Sequence, residues 1–348
     1  MTTRDSADNT NTAAMGKWVK VYKDLTAEIS KVIVGQDEVI EQMIVAILAR
    51  GHALLEGVPG VAKTLMVHSL AKALNLSFHR IQFTPDLMPS DITGTNVLRQ
   101  DPTTHEHSYE FLKGPIFANI VLADEINRTP PKTQAAMLEA MEERKVSVGG
   151  KDYDVPDPFF VLATQNPLEQ EGTYPLPQVQ LDRFMIYARV NYPSVADEWD
   201  IVRQVTTGVV GERALDKIKP VLQAENILAG QELVISMEAP DEVMKYAWSL
   251  VRASRPGGDG SEEITKWISW GSGPRGILAL VSCAKARALI HGRSQASTDD
   301  INWLVGGCLR HRIAPNYAAI TSEINSEKII EMLLKEQPAA TKEPVPMV

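Results

Sequence analysis

The sequence predicts an α/β protein, in which a parallel sheet with helices on both faces carries two hairpin inserts and is followed by a second domain made only of helices. Between residues 53 and 190, five apolar runs have the length of strands, and helical stretches separate most of them. Residues 120–123 and 159–163 are continuously apolar, as expected for strands covered on both faces. From about residue 193 onward the apolar spacing is helical, and Gly- and Pro-rich segments interrupt it.

Length, charge and cysteine content limit the class of protein. A chain of 348 residues can form two domains and a large buried core. Its formal net charge of -9 argues against a nucleic-acid partner, because it does not favour attraction to duplex DNA. The cysteines Cys283 and Cys308 lack zinc-site spacing and are typical of a reduced, cytoplasmic protein. No uninterrupted apolar run reaches the length of a membrane span.

The chain is divided into four parts. Residues 1–16 are expected to be a disordered tail, because they are polar at the start and lack the apolar region of a signal peptide. Residues 17–192 form the α/β core, and residues 193–335 form the helical domain. A second disordered tail is expected over residues 336–348, which are rich in proline.

The individual elements follow from apolar periodicity and from helix-start signals. The predicted strands are Ala53–Glu56, Ser77–Phe83, Ile120–Asp124, Phe159–Thr164 and Met185–Val190. The predicted helices of the core are Val19–Ser30, Asp37–Arg50, Leu65–Leu74 and one that begins after Thr129 as its N-cap, with Pro130 and Pro131 in the first turn. The predicted helices of the second domain are Val195–Thr206, Asp241–Ala253, Pro274–Ile290, Thr298–Arg310 and Ser322–Leu334.

Two hairpins interrupt this layering. The first pairs Thr95–Arg99 with Tyr109–Leu112 across a polar turn at Asp101-Pro102 and is interpreted as an insertion into a helix. The second surrounds Gly149-Gly150, which is a strong two-residue turn signal. Neither hairpin is needed for the core of the sheet, so both are interpreted as contact elements.

A phosphate-binding loop is predicted at residues 57–64, GVPGVAKT, because the loop lies between a strand and a helix. Its backbone N–H groups and the helix start favour phosphate, Lys63 can reach the β- and γ-phosphates, and Thr64 can bind Mg²⁺. Ala62 stands where glycine is usual, and we expect it to begin the helix. The predicted nucleotide-binding residues are Gly57, Val58, Pro59, Gly60, Val61, Ala62, Lys63, Thr64 and Leu65, with Val34 and Gly35 flanking the adenine.

Polar side chains follow two other strands at the same edge of the sheet. Asp124 and Glu125 end an apolar strand, where ligands bind in open α/β sheets. Asp124 is expected to bind Mg²⁺, and Glu125 to orient and deprotonate the attacking water. Asn166 ends the next strand and can position the water or the γ-phosphate. The residues therefore predict nucleotide hydrolysis.

Residues 32–312 resemble the MoxR family of AAA+ ATPases. Besides the phosphate loop, the resemblance rests on three stretches in order, which are TPDLMPSDITG at 84–94, KGPIFANIVLADEINRTPPKTQAAMLEAMEER at 113–144 and ATQNPLEQEGTYPLPQVQLDRF at 163–184. The family commonly carries Ala at the position of Ala62. The resemblance implies an AAA+ core, a C-terminal helical lid and a hexameric ring with ATP and Mg²⁺ bound between subunits.

The resemblance also implies roles for particular residues. Lys63 and Thr64 match Walker A, Asp124 and Glu125 match Walker B, and Asn166 matches sensor 1. 

Two arginines are given roles by the resemblance alone. Arg183 matches an arginine finger acting in trans, and Arg275 matches the sensor 2 arginine reaching the nucleotide from the lid. From the residues themselves, Arg183 indicates only a surface ion pair. The two hairpins resemble those that face the pore or a partner in the helix-2-insert branch.

For partners, the resemblance implies a client protein that is remodelled, matured or supplied with metal, together with a protein carrying a von Willebrand factor A (VWA) domain. Three alternatives stay open. One is a chelatase-type or DNA-remodelling motor of the same branch. Another is a small-molecule kinase or GTPase switch, although no Asn-Lys-x-Asp guanine signal occurs. The third is a scaffold without activity, against which both acidic residues and Lys63 argue.

Overall fold

The computed structural model describes residues 4–100, 105, 107–167, 172–206 and 212–337, without the side chains of residues 4–15 and 212–213. Residues 1–3 and 338–348 of the expected tails, and the expected turn at Asp101-Pro102, lie outside these ranges. Within them, none of the helices combines the length and apolarity needed to span a lipid bilayer.

The secondary structure has the alternation that the sequence predicts. The strands are β1 (Ala53–Gly57), β2 (Phe78–Gln82), β3 (Gly94–Gln100), β4 (His107–Lys113), β5 (Ile120–Asp124), β6 (Lys145–Val148), β7 (Lys151–Asp154), β8 (Phe160–Gln165), β9 (Ile186–Val190), β10 (Ile268–Trp270) and β11 (Ala314–Pro315). The helices are α1 (Arg4–Ile29), α2 (Asp37–Leu48), α3 (Lys63–Ala73), α4 (Pro89–Thr93), α5 (Pro131–Glu143), α6 (Gln178–Leu181), α7 (Val195–Thr206), α8 (Ala224–Ser236), α9 (Asp241–Ala253), α10 (Glu262–Thr265), α11 (Pro274–Ile290), α12 (Thr298–Leu309), α13 (Tyr317–Thr321) and α14 (Ser326–Glu336), with 3₁₀ turns at Ile126–Arg128 and Glu212–Lys217.

The central sheet is parallel throughout, with the strand order β2-β5-β8-β1-β9. Every residue of β5 is buried, which explains its continuous apolar sequence. Leu54 of β1 lies beside Ala163 of β8, and Val121 of β5 lies beside Val161 of β8. Because all five strands run in one direction, their carboxyl ends meet at one edge of the sheet and their amino ends at the other.

Both predicted hairpins are present as separate two-stranded ladders. In the first, β3 pairs with β4, and Asn96 lies opposite Phe111. Gly149 and Gly150 both have positive φ, 59° and 77°, as the tight turn between β6 and β7 requires. The interpretation of the first hairpin as an insertion into a helix is only half right. The helix α4 precedes it, but after β4 the chain turns at Gly114-Pro115 and enters β5 without a second helix.

The second domain is mainly helical but contains a short ladder of β10 and β11, so the prediction of helices alone is wrong there. Asn316 explains part of this fold, because its backbone N–H donates to Trp267 O at 2.9 Å and its side chain caps α13. One cluster of buried apolar residues joins the sheet, α1, α2 and the later helices. The boundary between core and lid at residue 192 therefore stays a prediction.

Two other expectations differ from the structure. The helix α1 is already helical at Arg4, where a disordered tail is expected, and its described packing includes Trp18, which lies against Gly230 of α8. A Cβ atom at position 230 would lie 2.2 Å from the Trp18 ring, so only glycine permits this approach. Thr129 is not the N-cap of α5. Pro130 takes that position, and the Thr129 hydroxyl instead donates to Thr84 O at 3.2 Å.

Candidate active site

The phosphate-binding loop connects β1, which ends at Gly57, to α3, which begins at Lys63. Ala62 has φ 61° and ψ 25°, so it is a left-handed N-cap and not the first helical residue that the sequence analysis expects. The sharp entry into α3 requires this conformation, which costs a non-glycine residue about 1–2 kcal/mol. Ala62 is exposed, so its small Cβ meets no steric obstacle beyond its own backbone.

Lys63 folds back over the loop that it follows. Its Nζ donates to the backbone carbonyl of Gly57 and to that of Val58, the second at 3.2 Å. These contacts hold the ammonium group beside the loop N–H groups. A phosphate bound at the loop would therefore accept hydrogen bonds from both the N–H groups and the Lys63 ammonium.

A cavity of about 760 Å³ lies at the carboxyl edge of the sheet, in front of this loop. It brings together most of the predicted site residues, which are Pro59, Gly60, Val61, Ala62, Lys63, Thr64, Leu65, Asp124, Glu125 and Asn166. Sequence reasoning missed four further lining residues, which are His68, Thr164, Gln165 and Leu215. Of these four, only Thr164 and Gln165 have a recognisable sequence signal, because they are polar residues at the end of a buried strand.

Asp124 is buried at the end of β5 and is held from three sides. Its Oδ1 accepts from Thr164 Oγ1 at 2.6 Å, and its Oδ2 accepts from Arg80 Nη2 at 2.6 Å. The Thr64 hydroxyl lies 3.4 Å from the same Oδ2. A threonine hydroxyl and a carboxylate in one polar cavity are hard oxygen donors, which is the ligand chemistry that Mg²⁺ prefers. The residues present therefore fit the metal that the sequence predicts.

Glu125 follows Asp124 in a left-handed conformation, with φ 57°, so its side chain leaves the strand direction. Its backbone N–H donates to Thr164 Oγ1 at 2.8 Å. Its Oε2 accepts from Gln82 Nε2 at 2.7 Å and lies 3.1 Å from Arg128 Nη1. Thr164 thus fixes both acidic residues, while Gln82 and Arg128 orient one oxygen of the Glu125 carboxylate.

Arg183 and Arg275 lie at the opposite, amino edge of the sheet. Arg183 precedes β9, and its Nη2 is 2.9 Å from Glu142 Oε2. Arg275 begins α11, and its Nη2 is 2.7 Å from Glu142 Oε1. Both arginines line a cavity of about 330 Å³ with His52, which precedes β1. Within the described residues, neither arginine lines the cavity in front of the phosphate loop.

His52 is a buried neutral imidazole beside these arginines. Burial, and then the charge of Arg144, lower the pKa of His52 to about 3. Its Nδ1 accepts from the Val161 N–H at 3.0 Å, and its Nε2 lies 3.1 Å from Met141 O. The acceptor role of Nδ1 places the ring proton on Nε2, so His52 joins β8 to the end of α5 without a charge.

Val34 and Gly35 do not line the cavity in front of the phosphate loop. The segment lies instead beside the end of β9 and the start of α7. A Cβ atom on Gly35 would lie 2.9 Å from the Asp197 carboxylate, and Gln36 Nε2 donates to Asn191 O at 2.8 Å. A place for these two residues next to the adenine therefore stays a prediction.

A parallel sheet with a phosphate loop after β1, two acidic residues after β5 and a helical second domain defines an ATPase of the AAA class. The family described as ATPase family associated with various cellular activities (AAA) matches residues 52–186, and the AAA lid domain matches residues 263–332.

Similar proteins narrow this class. Chaperone MoxR1 of Mycobacterium tuberculosis is 41% identical over 88% of this chain and 79% of its own length. YeaC of Bacillus subtilis is 42% identical over 91% of this chain and 93% of its own. A crystal structure of a candidate ATPase from Cytophaga hutchinsonii, 38% identical, superposes with a TM-score of 0.84 over 95% of this chain and 97% of that one. The chain belongs to the MoxR family of AAA ATPases.

Proposed function

We propose that this protein hydrolyses ATP, with Mg²⁺, at the interfaces between its own copies in a ring, and that the ring remodels a client protein. The observation that carries this proposal is the separation of the two halves of the chemistry. The phosphate loop and both acidic residues lie at one edge of the sheet, whereas Arg183 and Arg275 lie at the other. At about 3.3 Å per residue, strands of this length place roughly 15 Å between the edges. A single copy cannot bring both halves to one phosphate.

One subunit supplies the binding half. The loop N–H groups and the Lys63 ammonium hold the β- and γ-phosphates. Thr64 and Asp124 hold Mg²⁺, which when bound neutralises charge on the phosphate oxygens. Glu125 takes the proton of the attacking water, and Asn166 positions that water or the γ-phosphate.

The neighbouring subunit supplies the arginine half. A negative charge develops on the transferring phosphoryl oxygens, and an arginine placed against them typically contributes about 10³–10⁵ in rate. Arg183 fits the role of arginine finger. For Arg275 the family resemblance leaves open which subunit's nucleotide it reaches, and its position beside Arg183 favours the nucleotide of the neighbour. We assign Arg275 to the neighbour's nucleotide as well. The family resemblance implies that this ring is hexameric.

The client side of the proposal is coarser. One relative is named a chaperone, and the β3–β4 and β6–β7 hairpins leave the core as separate ladders that a client or a VWA-domain partner could contact. Because Arg275 begins the lid helix α11 while Arg183 belongs to the core, loss of a phosphate contact would let the lid move against the core. Such movement is what remodelling, maturation or metal insertion in a client requires.

The test is ATP hydrolysis measured against protein concentration. Turnover per subunit should rise steeply as copies assemble, because an isolated subunit lacks the arginine half. Glu125→Gln should retain ATP and assembly but lose turnover, whereas Lys63→Ala should lose ATP binding itself. Turnover that is independent of concentration, or that survives Glu125→Gln, would contradict the proposal.

A further inference from the structure

The helix α7 exposes apolar side chains along one face. Val195, Trp199, Val202 and Val205 are 87%, 64%, 52% and 53% exposed, and the helix buries none of its residues. The spacing of the first three, at i, i+4 and i+7, aligns them on one helical face. An apolar stripe with an exposed tryptophan indicates a contact surface, and no partner for it exists within the described residues.

This helix lies on the nucleotide side of the molecule. It begins five residues after Val190, the last residue of β9, at the carboxyl edge that carries the phosphate loop. Val190 and Tyr192 share a surface hollow with Gly57 and Val58 of the loop. The apolar stripe of α7 therefore belongs to the same face as the predicted ATP site.

An open apolar groove lies on the arginine side. It has a volume of about 840 Å³ and runs between α6 of the core and the segment that leads into α11. Val179 and Trp270 at its rim are 73% and 64% exposed.

The groove is connected to the arginine half of the ATP site and carries a positive charge. Asp182 and Arg312 line both the groove and the cavity of Arg183 and Arg275, so the two surfaces are continuous. The groove also carries Arg255, whose Nε donates to Ser272 O at 2.9 Å and which has no ion pair within the described ranges. The surface of the groove is therefore apolar with a positive charge at its wall.

The helix α7 complements this groove in charge as well as in apolarity. Glu198, in its first turn and four residues before Val202, places negative charge beside the apolar stripe. A helix with apolar anchors three and four residues apart is the shape that an apolar groove between elements accepts.

We propose that α7 of one subunit packs into the groove of Val179 and Trp270 on the next subunit of the ring. This inference rests on the proposed function, because it uses the same neighbour whose Arg183 and Arg275 complete the ATP site. The contact is head-to-tail: the helix lies on one face and the groove on the other, so each copy uses both, and repetition of the contact closes a ring. Entry of Trp199 into the groove would also fix the distance between the phosphate loop and the neighbour's arginines.

The test uses cysteine pairs in the full-length chain. Val202→Cys in one preparation and Val179→Cys in another are mixed with ATP and treated with a short bis-maleimide. The natural cysteines Cys283 and Cys308 are buried and should not react. Asp200→Cys, on the opposite face of α7, replaces Val202→Cys in the matched control.

The expected result is a cross-linked dimer in the mixture of Val202→Cys and Val179→Cys, with at least tenfold less in each single preparation and in the control. A dimer formed by Val202→Cys alone would mean that α7 packs against another α7, and would overturn the proposal. Rings that assemble without the mixed cross-link would overturn this contact and leave the proposed function standing. Absence of assembly with ATP would overturn both.

A second variant removes the contact without new chemistry. Trp199→Ala should leave the melting temperature and ATP binding of the unassembled subunit unchanged, because the Trp199 side chain is exposed. It should raise the concentration for half-assembly at least tenfold. Unchanged assembly would assign the stripe to another protein and overturn the proposal.

Discussion

Arg183 of the core and Arg275 of the lid form ion pairs with the two oxygens of one carboxylate, that of Glu142, at 2.9 and 2.7 Å. A second link between core and lid runs close by, because Asp182 pairs with Arg312 at 2.7 Å. The two arginines are thus presented together, at a defined spacing, on the face opposite the phosphate loop. Because both arginines bind the Glu142 carboxylate, the distance between them depends on the position of the lid relative to the core.

Glu142→Gln tests this shared contact. It removes the negative charge between two like-charged side chains, so both arginines lose their defined position. We expect hydrolysis by assembled protein to fall by up to about 100-fold, as misplaced catalytic groups do. ATP binding by the unassembled subunit should not change, because Glu142 does not line the nucleotide cavity. Glu139→Gln, an exposed position on the same helix, is the matched control. Equal activities in the two variants would contradict the prediction.

Thr164→Val tests the support of the acidic residues. The substitution keeps the shape of the side chain and removes the hydroxyl that binds Asp124 Oδ1 and the Glu125 N–H. The groups left without a partner should cost about 1–3 kcal/mol of unfolding free energy. We expect kcat for ATP to fall more than its affinity, since Lys63 and the loop are untouched. Thr164→Ser keeps the hydroxyl and should restore kcat, and a Ser variant as impaired as Val would show that packing, not hydrogen bonding, matters.

Ala62 provides a test of backbone strain. A β-branched residue is strongly disfavoured at positive φ, so Ala62→Val should lower the unfolding free energy by more than about 1 kcal/mol. Ala62→Gly should be neutral or stabilising, because glycine adopts this conformation without penalty. Since the side chain is exposed, packing does not obscure the comparison. Denaturant unfolding of the three proteins gives the answer, and a Val variant as stable as the wild type would rule out strain here.

His52 predicts a pH dependence of stability. Its pKa is held near 3 in the folded protein and is about 6.5 when the chain unfolds, so only the unfolded state binds the proton between these values. The contribution of neutral His52 to the free energy of unfolding is complete above about pH 6.5. As the pH falls below this value, the free energy of unfolding decreases by about 1.4 kcal/mol per pH unit. In His52→Gln the unfolding free energy should fall less steeply between pH 6 and pH 4. Parallel curves for the two proteins would contradict a neutral buried His52.

Much of the fold can be predicted from the periodicity of apolar residues. The strand Ile120–Asp124 and the helices Val195–Thr206, Asp241–Ala253 and Pro274–Ile290 have the bounds that were predicted. Each has strong apolar periodicity or continuity and a clear start or stop signal. The helix Ala224–Ser236 is not predicted, because Gly230 interrupts its apolar residues. Glycine is needed at this position because the Trp18 ring of a distant helix packs against it.

The site was predictable only as far as motifs are local. The loop through Thr64, the Asp124-Glu125 pair and Asn166 come together as expected, since parallel strands share a carboxyl edge. Arg80 and Gln82 were missed because alternating polar residues of an edge strand look like a solvated face. Their roles depend on the register that places Gln82 beside Asp124. The position of Arg275 at one edge of the sheet likewise depends on how the lid packs against the core, and no local sequence pattern predicts that packing.

The most direct measurement of the central claim, that two subunits build one ATP site, is a mixing experiment. Lys63→Ala chains lack the binding half, and chains carrying both Arg183→Ala and Arg275→Ala lack the arginine half, so each preparation alone should be inactive. In random mixed rings roughly a quarter of the interfaces regain both halves. We predict that ATP hydrolysis reappears on mixing. Mixed rings that form but remain inactive would contradict the account.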